Sequence, residues 1–375
     1  MTLKAETIVV GCGGVGSAAL YQLARRGVKA IGIDRWEPPH KQGSTHGQTR
    51  MIRQAYFEHP DYVPLLLRSY ALWETLEAET KQSLLVKSGV LMAGPQGSEI
   101  LAGVRGSAER HKLTVENLSP SEAMRCYPAL AIPEDFEVAF EPAAGYLYVE
   151  ACVEAHFARA KHVGCTFRFG ERVVSWSATP KSVVVQTDRE RYEAESLVIA
   201  GGSWSASLLA DLGLPLRVLR KHLHWFPTDR GEHAAGALPG YFFDLPQGAY
   251  YGFPSVGEEG VKLAEHSGGE EIADPDQVWR EIDQAERSRV IAFARQHLPG
   301  LGEPGRHETC LYTMSPDGHF IVDRHPHHPR VAFAAGLSGH GFKLAPALGE
   351  ALADYAVLGR TSLPTGFLRL KRLRA

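Results

Sequence analysis

Thr7-Ile8-Val9-Val10-Gly11-Cys12-Gly13-Gly14-Val15-Gly16 is the stretch that decides the fold of this chain. The apolar run 7–10 reads as a strand and residues 15–26 as a helix, so a glycine-rich turn joins strand to helix. Gly11 permits the tight turn, Gly13 lets the backbone approach a pyrophosphate, and Gly16 lets helix and strand pack closely. Gly14 stands where the helix begins, and the free amides and positive dipole end there favour phosphate. A second strand, 30–33, ends in Asp34, about twenty residues beyond the glycines, where an acid meets a ribose 2′-OH. The unit predicts a Rossmann-type dinucleotide site and leaves NAD and FAD both open.

The bulk numbers set the frame. A chain of 375 residues has room for two domains or one large one. Its 44% hydrophobic and 22% charged residues are those of an ordinary globular protein, and a net charge of −3 provides no field to attract nucleic acid. The basic tail Lys371-Arg372-Leu373-Arg374 reads as a solvated helix end. The five cysteines, Cys12, Cys126, Cys152, Cys165 and Cys310, are scattered and odd in number, with no CxxC pair for a metal. Reducing cytoplasm is the compartment they fit. The N-terminal apolar stretch is the nucleotide strand itself rather than a signal peptide, and no run of about eighteen apolar residues predicts a membrane span.

Further along, 62–79 carries Leu65, Leu66, Tyr70, Trp73 and Leu76 near helical spacing, and 149–161, 276–298 and 345–358 also read as helices. Ser119 before Pro120, with Glu122 three residues on, marks a capped helix over 119–124. Strands are expected at 89–93, 172–176, 183–187, 196–200 and 331–335. The strand 196–200 runs into Gly201-Gly202-Ser203-Trp204, and 331–335 runs into Gly336-Leu337-Ser338-Gly339-His340-Gly341-Phe342-Lys343, so the strand-to-glycine-turn theme recurs. From about 218 to 265, aromatic and β-branched residues alternate with polar ones, the pattern of an antiparallel sheet. Nucleotide-binding pieces therefore stand at the start, middle and end. A discontinuous domain of 1–84, 147–220 and 306–375 is expected to enclose a second one of 85–146 and 221–305. His319, His325, His327 and His328 lie among prolines without zinc-site spacing and read as a solvated loop, so no metal is expected.

Longer motifs narrow the cofactor. Gly43-Ser44-Thr45-His46-Gly47-Gln48-Thr49-Arg50-Met51-Ile52-Arg53, Tyr250-Tyr251-Gly252-Phe253-Pro254, Cys310-Leu311-Tyr312 and Ser338-Gly339-His340-Gly341-Phe342-Lys343 follow one another along the chain. Through them the chain resembles, over nearly its whole length, the monomeric sarcosine oxidase and N-methyltryptophan oxidase family of FAD enzymes. The resemblance implies an α/β fold: a glutathione-reductase-like, FAD-binding Rossmann domain with a discontinuous α+β substrate domain built on an antiparallel sheet. It also implies FAD joined to Cys310 by an 8α-S-cysteinyl thioether, a bond for which a thiolate is the nucleophile. By residue type alone, Cys310 is a small buried hydrophobe.

The same resemblance assigns roles. Arg53 and Lys343 are implied as ligands of a substrate carboxylate, the one as a fork and the other as a point charge. His46 and Arg50 are implied beside the flavin, where a cation stabilises the reduced form. Lys262 is implied as an oxygen-activating charge; its strand pattern alone fits an outward-facing residue equally well. Tyr251 and His266 are implied at the substrate, His266 as a hydrogen-bonding group near neutral pH. The cofactor contacts implied are Gly11, Gly13, Gly14, Gly16, Asp34, Ser44, Thr45, His46, Thr49, Arg50, Gly201, Trp204, Cys310, Gly339, His340, Gly341, Phe342 and Lys343. Gly339 and Gly341 are expected to let the backbone reach the flavin pyrimidine edge, with a helix dipole behind it.

The reaction implied is FAD-dependent oxidation of an N-methyl amino acid by molecular oxygen, giving the primary amino acid, formaldehyde and hydrogen peroxide, in a monomeric cytoplasmic enzyme. Thr45 departs from the family, which often has a second histidine there. Phe242 narrows a pocket strand and favours the small substrate sarcosine, whereas Ser315-Pro316-Asp317 is closer to the N-methyltryptophan branch. N-methyl-L-tryptophan, another secondary amino acid and a D-amino acid all stay open. A nicotinamide dehydrogenase leaves Cys310 and the last glycine loop without a role. A non-catalytic flavin-binding redox module needs no carboxylate clamp.

Overall fold

The computed structural model describes residues 2–374. Strand Thr2–Val10 pairs in parallel with Ala30–Asp34 on one side and Arg191–Ile199 on the other, and Thr166–Phe169 and Val331–Ala335 extend the parallel sheet outward. Val183–Thr187, Val173–Ala178 and Ile321–Arg324 add antiparallel edges. The central strands are covered on both faces, so Ile8, Val9, Ile31, Ile33, Val198 and Ile199 are all buried and read as continuous apolar runs instead of an alternation. Helix Gly14–Arg25 packs between Val149–His162 and Ala345–Leu358.

Two glycines make the first turn possible. Gly11 has φ +83°, and a Cβ there would lie 2.4 Å from the Ala200 carbonyl oxygen. A Cβ on Gly16 would lie 1.8 Å from the Gly11 carbonyl oxygen. The expected close approach of helix and strand is therefore a backbone contact with no slack.

The second sheet is built around Arg217–Phe226, which pairs antiparallel with Val261–Glu265 on one edge and Arg306–Met314 on the other. It continues through Gly248–Phe253 and Gly240–Leu245 to Val90–Pro95, Phe136–Glu141 and Glu116–Leu118. The antiparallel expectation holds for its central strands, but Gly240–Leu245 and Val90–Pro95 run parallel. A small third sheet joins Thr49–Ile52, Gly145–Tyr148 and Leu85–Val86.

Several expectations need correction. The boundary at 220/221 falls inside the strand Arg217–Phe226, and Arg306–Met314, expected with the nucleotide part, is hydrogen-bonded into the second sheet. The helix expected at 276–298 is confined to Gln284–His297, because Asp283 caps it through the Ala285 and Glu286 amides. The histidine loop is not solvated throughout: His325 is 2% exposed, with Nε2 2.9 Å from the Asp211 carboxylate. Asp211, His325 and His328 converge as if to hold an ion. His325 Nδ1 accepts the His327 N–H, which leaves the proton of the neutral ring on Nε2, facing the Asp211 carboxylate. The tail is not a free solvated end either, since the Arg372 guanidinium is paired with Asp317. The capping box at Ser119 and Glu122 is as expected. No helix among the described residues is long and apolar enough to cross a membrane.

Gly16→Ala is expected to lower stability by at least about 1–3 kcal/mol, the usual range for overpacking a filled site. Urea unfolding of the holoprotein measures it, and an unchanged midpoint would contradict the contact.

Candidate active site

A cavity of about 640 Å³ runs from the first glycine turn to the second sheet. One end is lined by Gly11, Gly13, Gly14 and Asp34, the middle by Ser44, Thr45, Gly201 and Trp204, and the far end by Cys310, Arg50, Tyr251, Phe242, His266, Arg53 and Lys343. The donor set at the first end fits a dinucleotide. Helix Gly14–Arg25 starts without a side-chain cap, and of the Gly14, Val15 and Gly16 amides only that of Gly14 has a partner among the described residues, Thr45 Oγ1 at 3.2 Å. Its first turn thus keeps amides free for an anion. The Asp34 carboxylate accepts the Cys12 and Trp36 amides at 2.6 and 3.0 Å, which fixes it at the cavity wall.

The last glycine loop closes onto this turn. A Cβ on Gly14 would meet the Phe342 ring at 2.8 Å, and one on Gly339, at φ +79°, would meet the Tyr312 ring at 2.4 Å. Gly341 faces the Leu337 side chain. These glycines therefore admit side chains of their own protein as well as lining the cavity, a packing reason that the motif does not announce.

At the far end, Cys310 lies on Arg306–Met314 and is 1% exposed. Glu308, Cys310 and Tyr312 alternate along the strand and so share a face. Burial pushes the Cys310 thiol up, but the His46 imidazole and the Arg50 and Lys262 charges outweigh it and bring the thiol down to about 7. The other buried thiols, Cys12, Cys152 and Cys165, are pushed up instead.

The turn that carries His46 and Arg50 is held from several sides. Gly47 and Gln48 have φ of 91° and 68°, and a left-handed residue such as Gln48 costs about 1–3 kcal/mol. Glu150 accepts both of their amides. The Gln48 side chain bridges Trp225 Nε1 and the Val256 carbonyl. Lys262 Nζ donates to the carbonyls of Gly47 at 2.5 Å and Thr49 at 2.7 Å.

Arg53 and Lys343 are both buried. Arg53 is held by Glu58, with Nη2 2.8 and 2.9 Å from its two carboxylate oxygens, and is flanked by the Tyr56 and Phe57 rings. Lys343 Nζ donates to the His340 carbonyl at 2.9 Å, and burial and then Arg53 lower it to about 7. His266 lies among Phe242, Tyr251 and Tyr312, with burial and then Lys221 holding it at about 3, so the ring is neutral.

Among the residues proposed from sequence, Gly16, His46, Thr49 and Lys262 do not line the cavity. Gly16 is closed against Gly11, while His46 and Thr49 are buried behind the wall. Lys262 is neither outward-facing nor in the cavity: it is 1% exposed, and burial and then Arg50 push its ammonium well below the usual range. Sequence reasoning missed Glu58, Glu150 and Glu308. Each is an acid that a periodicity reading assigns to the surface; only Glu308, two residues before Cys310, carries a positional signal.

Residues 6–355 match the family described as FAD dependent oxidoreductase, DAO. Monomeric sarcosine oxidase of Bacillus sp. strain B-0618 is 40% identical over 379 residues, covering 99% of this chain and 97% of that protein. N-methyl-L-tryptophan oxidase of Salmonella dublin is 37% identical over 362 residues, covering 96% of each. Among solved structures, NikD, described as an unusual amino acid oxidase essential for nikkomycin biosynthesis, superposes with a TM-score of 0.88 at 26% identity, covering 98% of both chains.

Alkylation of Cys310 in flavin-free protein, followed by peptide mass spectrometry, is expected to show a pH midpoint near 7. His46→Asn and Arg50→Met should each raise it, since each removes a group that favours the thiolate. A wild-type midpoint at 9 or above would mean that burial prevails.

Proposed function

We propose that this chain, which belongs to the DAO family of FAD-dependent oxidoreductases, oxidises the N-methyl group of a small amino acid, with sarcosine the favoured substrate. The balance is R–NH–CH3 + O2 + H2O → R–NH2 + HCHO + H2O2. The observation that carries the reading is the buried Arg53–Lys343 pair beside an aromatic pocket at the Cys310 end of the cavity. Two buried cations in reach of one cavity suit a carboxylate, and a non-catalytic flavin module would have no use for them.

FAD supplies the two-electron oxidant when bound. Gly11, Gly13, Gly14 and Asp34 would hold its ADP half, and Ser44, Thr45, Arg50, Gly339, His340, Gly341 and Phe342 the remainder. In this reading the parallel sheet carries the ADP half of the cofactor, while the antiparallel sheet supplies Phe242 and Tyr251 to the substrate pocket and, on Arg306–Met314, Cys310 to the flavin. The enzyme acts as a monomer.

The chain's own residues do the positioning. Glu58 keeps the Arg53 guanidinium paired until a substrate carboxylate takes its place, because an unpaired buried charge is costly. Lys343 adds the second charge. Arg53, Arg50 and Lys343 together disfavour the ammonium form of the substrate and favour the neutral amine, whose lone pair assists hydride loss from the methyl carbon. Neutral His266 offers a hydrogen bond and, with Tyr251, walls the site from water. Orientation of this kind is worth several kcal/mol, up to roughly 7–11. For Lys262 the geometry favours a supporting part: it fixes Gly47 and Thr49, and with them Arg50.

We also propose that the FAD is covalently held by Cys310 Sγ. Acid-precipitated wild-type protein should then stay yellow, and Cys310→Ser should release all its flavin to the supernatant. A colourless wild-type pellet would exclude the linkage.

Peroxide release across sarcosine, N-methyl-L-tryptophan, proline and D-alanine tests the reaction. Sarcosine should give the highest kcat/KM, and Phe242→Ala should raise activity toward N-methyl-L-tryptophan. Peroxide from the tryptophan derivative alone would reverse the substrate choice, and peroxide from none of the four would overturn the oxidase reading.

A further inference from the structure

The hydrophobic cores leave a long excursion of the chain unanchored. Strand Glu270–Ile272 pairs with residues 218–220 of Arg217–Phe226, the chain then makes one turn at Pro275–Gln277, and helix Gln284–His297 begins after Asp283. Among the described residues between Ala264 and Val290 no apolar side chain is buried, and Trp279 is 59% exposed. What holds 270–283 is polar. Arg220, buried in the antiparallel sheet, grips both feet: Nη2 lies 2.6 Å from Glu270 Oε2 and 3.9 Å from Asp283 Oδ2, while Nη1 donates to the Trp279 carbonyl at 3.0 Å. The tip is fastened to the cofactor cavity. Asp276 Oδ1 accepts Arg35 Nη1 at 2.5 Å and Trp204 Nε1 at 2.7 Å, and Oδ2 lies 3.9 Å from Arg172 Nη2. Arg35, Trp204 and Arg172 all line that cavity. Arg280 donates to the Lys41 and Gln42 carbonyls at 2.8 and 2.7 Å, just before Gly43 and Ser44 of the lining. The Arg280 carbonyl accepts Thr309 Oγ1 at 3.0 Å, next to Cys310.

These contacts share a geometry. The excursion leaves the antiparallel sheet, and every contact at its tip falls on a wall residue of the cofactor cavity or on that residue's neighbour in the chain. A segment with exposed hydrogen bonds and no buried apolar contacts opens at low cost, while feet tied to a buried arginine stay in place. We propose that 270–283 is a strap across the cofactor cavity, and that Asp276 and Arg280 form the latch whose release lets the dinucleotide in and out. Asp276 acts through Arg35 and Trp204, whose ring lies 4.9 Å from that of Trp36, another wall residue. Arg280 acts through 41–42, which lead into the Gly43–Thr45 part of the wall. The strap binds and retains the cofactor and takes no part in moving a proton or a hydride. The proposal rests on FAD occupying the cavity, and on neither the choice of substrate nor the covalent linkage.

The test uses Cys310→Ser protein, so that no thioether retains the flavin, and follows FAD fluorescence. Release is read after dilution into excess ADP, which fills vacated sites. Association is read on mixing flavin-depleted protein with FAD. Electrostatics and a latch predict different signs. Removing an acid near a diphosphate by itself speeds association and slows release, and removing a base does the reverse. Unlatching speeds both steps whichever charge is lost. Asp276→Asn and Arg280→Gln are therefore each expected to raise both rates roughly three- to tenfold, the weight of a single hydrogen bond. Glu271→Gln, which removes an acid at a foot of the strap where it pairs with Arg217, should leave both rates unchanged. Tryptic cleavage after Arg280 should also quicken in Asp276→Asn. Slower release from Asp276→Asn, no change in either latch variant, or an equal acceleration in Glu271→Gln would overturn the proposal. Protein that takes up no FAD would defeat the cofactor reading, and the strap with it.

Discussion

Lys262 reaches from the antiparallel sheet to the carbonyls of Gly47 and Thr49, and much of the site depends on that contact. The turn it holds is strained, with Gln48 in a left-handed conformation that a side chain seldom adopts. Such a turn persists only when its surroundings over-determine it. Glu150 takes the amides, Lys262 takes the carbonyls, and Trp225 and Val256 take the Gln48 side chain. Acid, base and amide thus hold one turn between two sheets. The turn in its place sets Arg50 and His46 against Cys310.

The far end of the cavity is consequently an array of buried charges, each with a stated compensation. Arg53 has Glu58, His46 has Glu308, and Lys262 and Lys343 have backbone carbonyls. Unpaired, any of them would cost several kcal/mol. Their joint effect is a cationic pocket with low water access. There a thiol becomes acidic, a histidine is kept neutral, and an incoming carboxylate finds partners already in place. The same balance explains why the thiols of Cys12, Cys152 and Cys165, buried without such cations, are pushed the other way.

Local signals carried well where the physics was local. Gly11 and Gly16 predicted a turn too tight for a Cβ, Ser119 and Glu122 predicted a capping box, and the apolar runs ending at Val10 and Ile33 predicted paired parallel strands. They failed where distant residues intervened. The helix expected from 276 starts only after Asp283, since a side-chain cap competes with helix propensity over the residues before it. The strand Arg306–Met314 joined the antiparallel sheet because its partner in register, Arg217–Phe226, lies far away in sequence. His325 is buried by Trp176 and Asp211, neither of which is a near neighbour along the chain.

By itself, the sequence determined the dinucleotide turn, the alternation of parallel and antiparallel sheet, and most of the residue types at the site. Each of these follows from steric or periodic constraints within a few residues. Only the tertiary structure decided how those residues are used. It placed Lys262 and His46 behind the cavity wall instead of in it, gave Arg53 a resident partner in Glu58, and set Glu308 behind His46. The reason is electrostatic: the state of a buried charge depends on what stands within a few ångströms of it, and those neighbours come from strands and turns far apart in the chain.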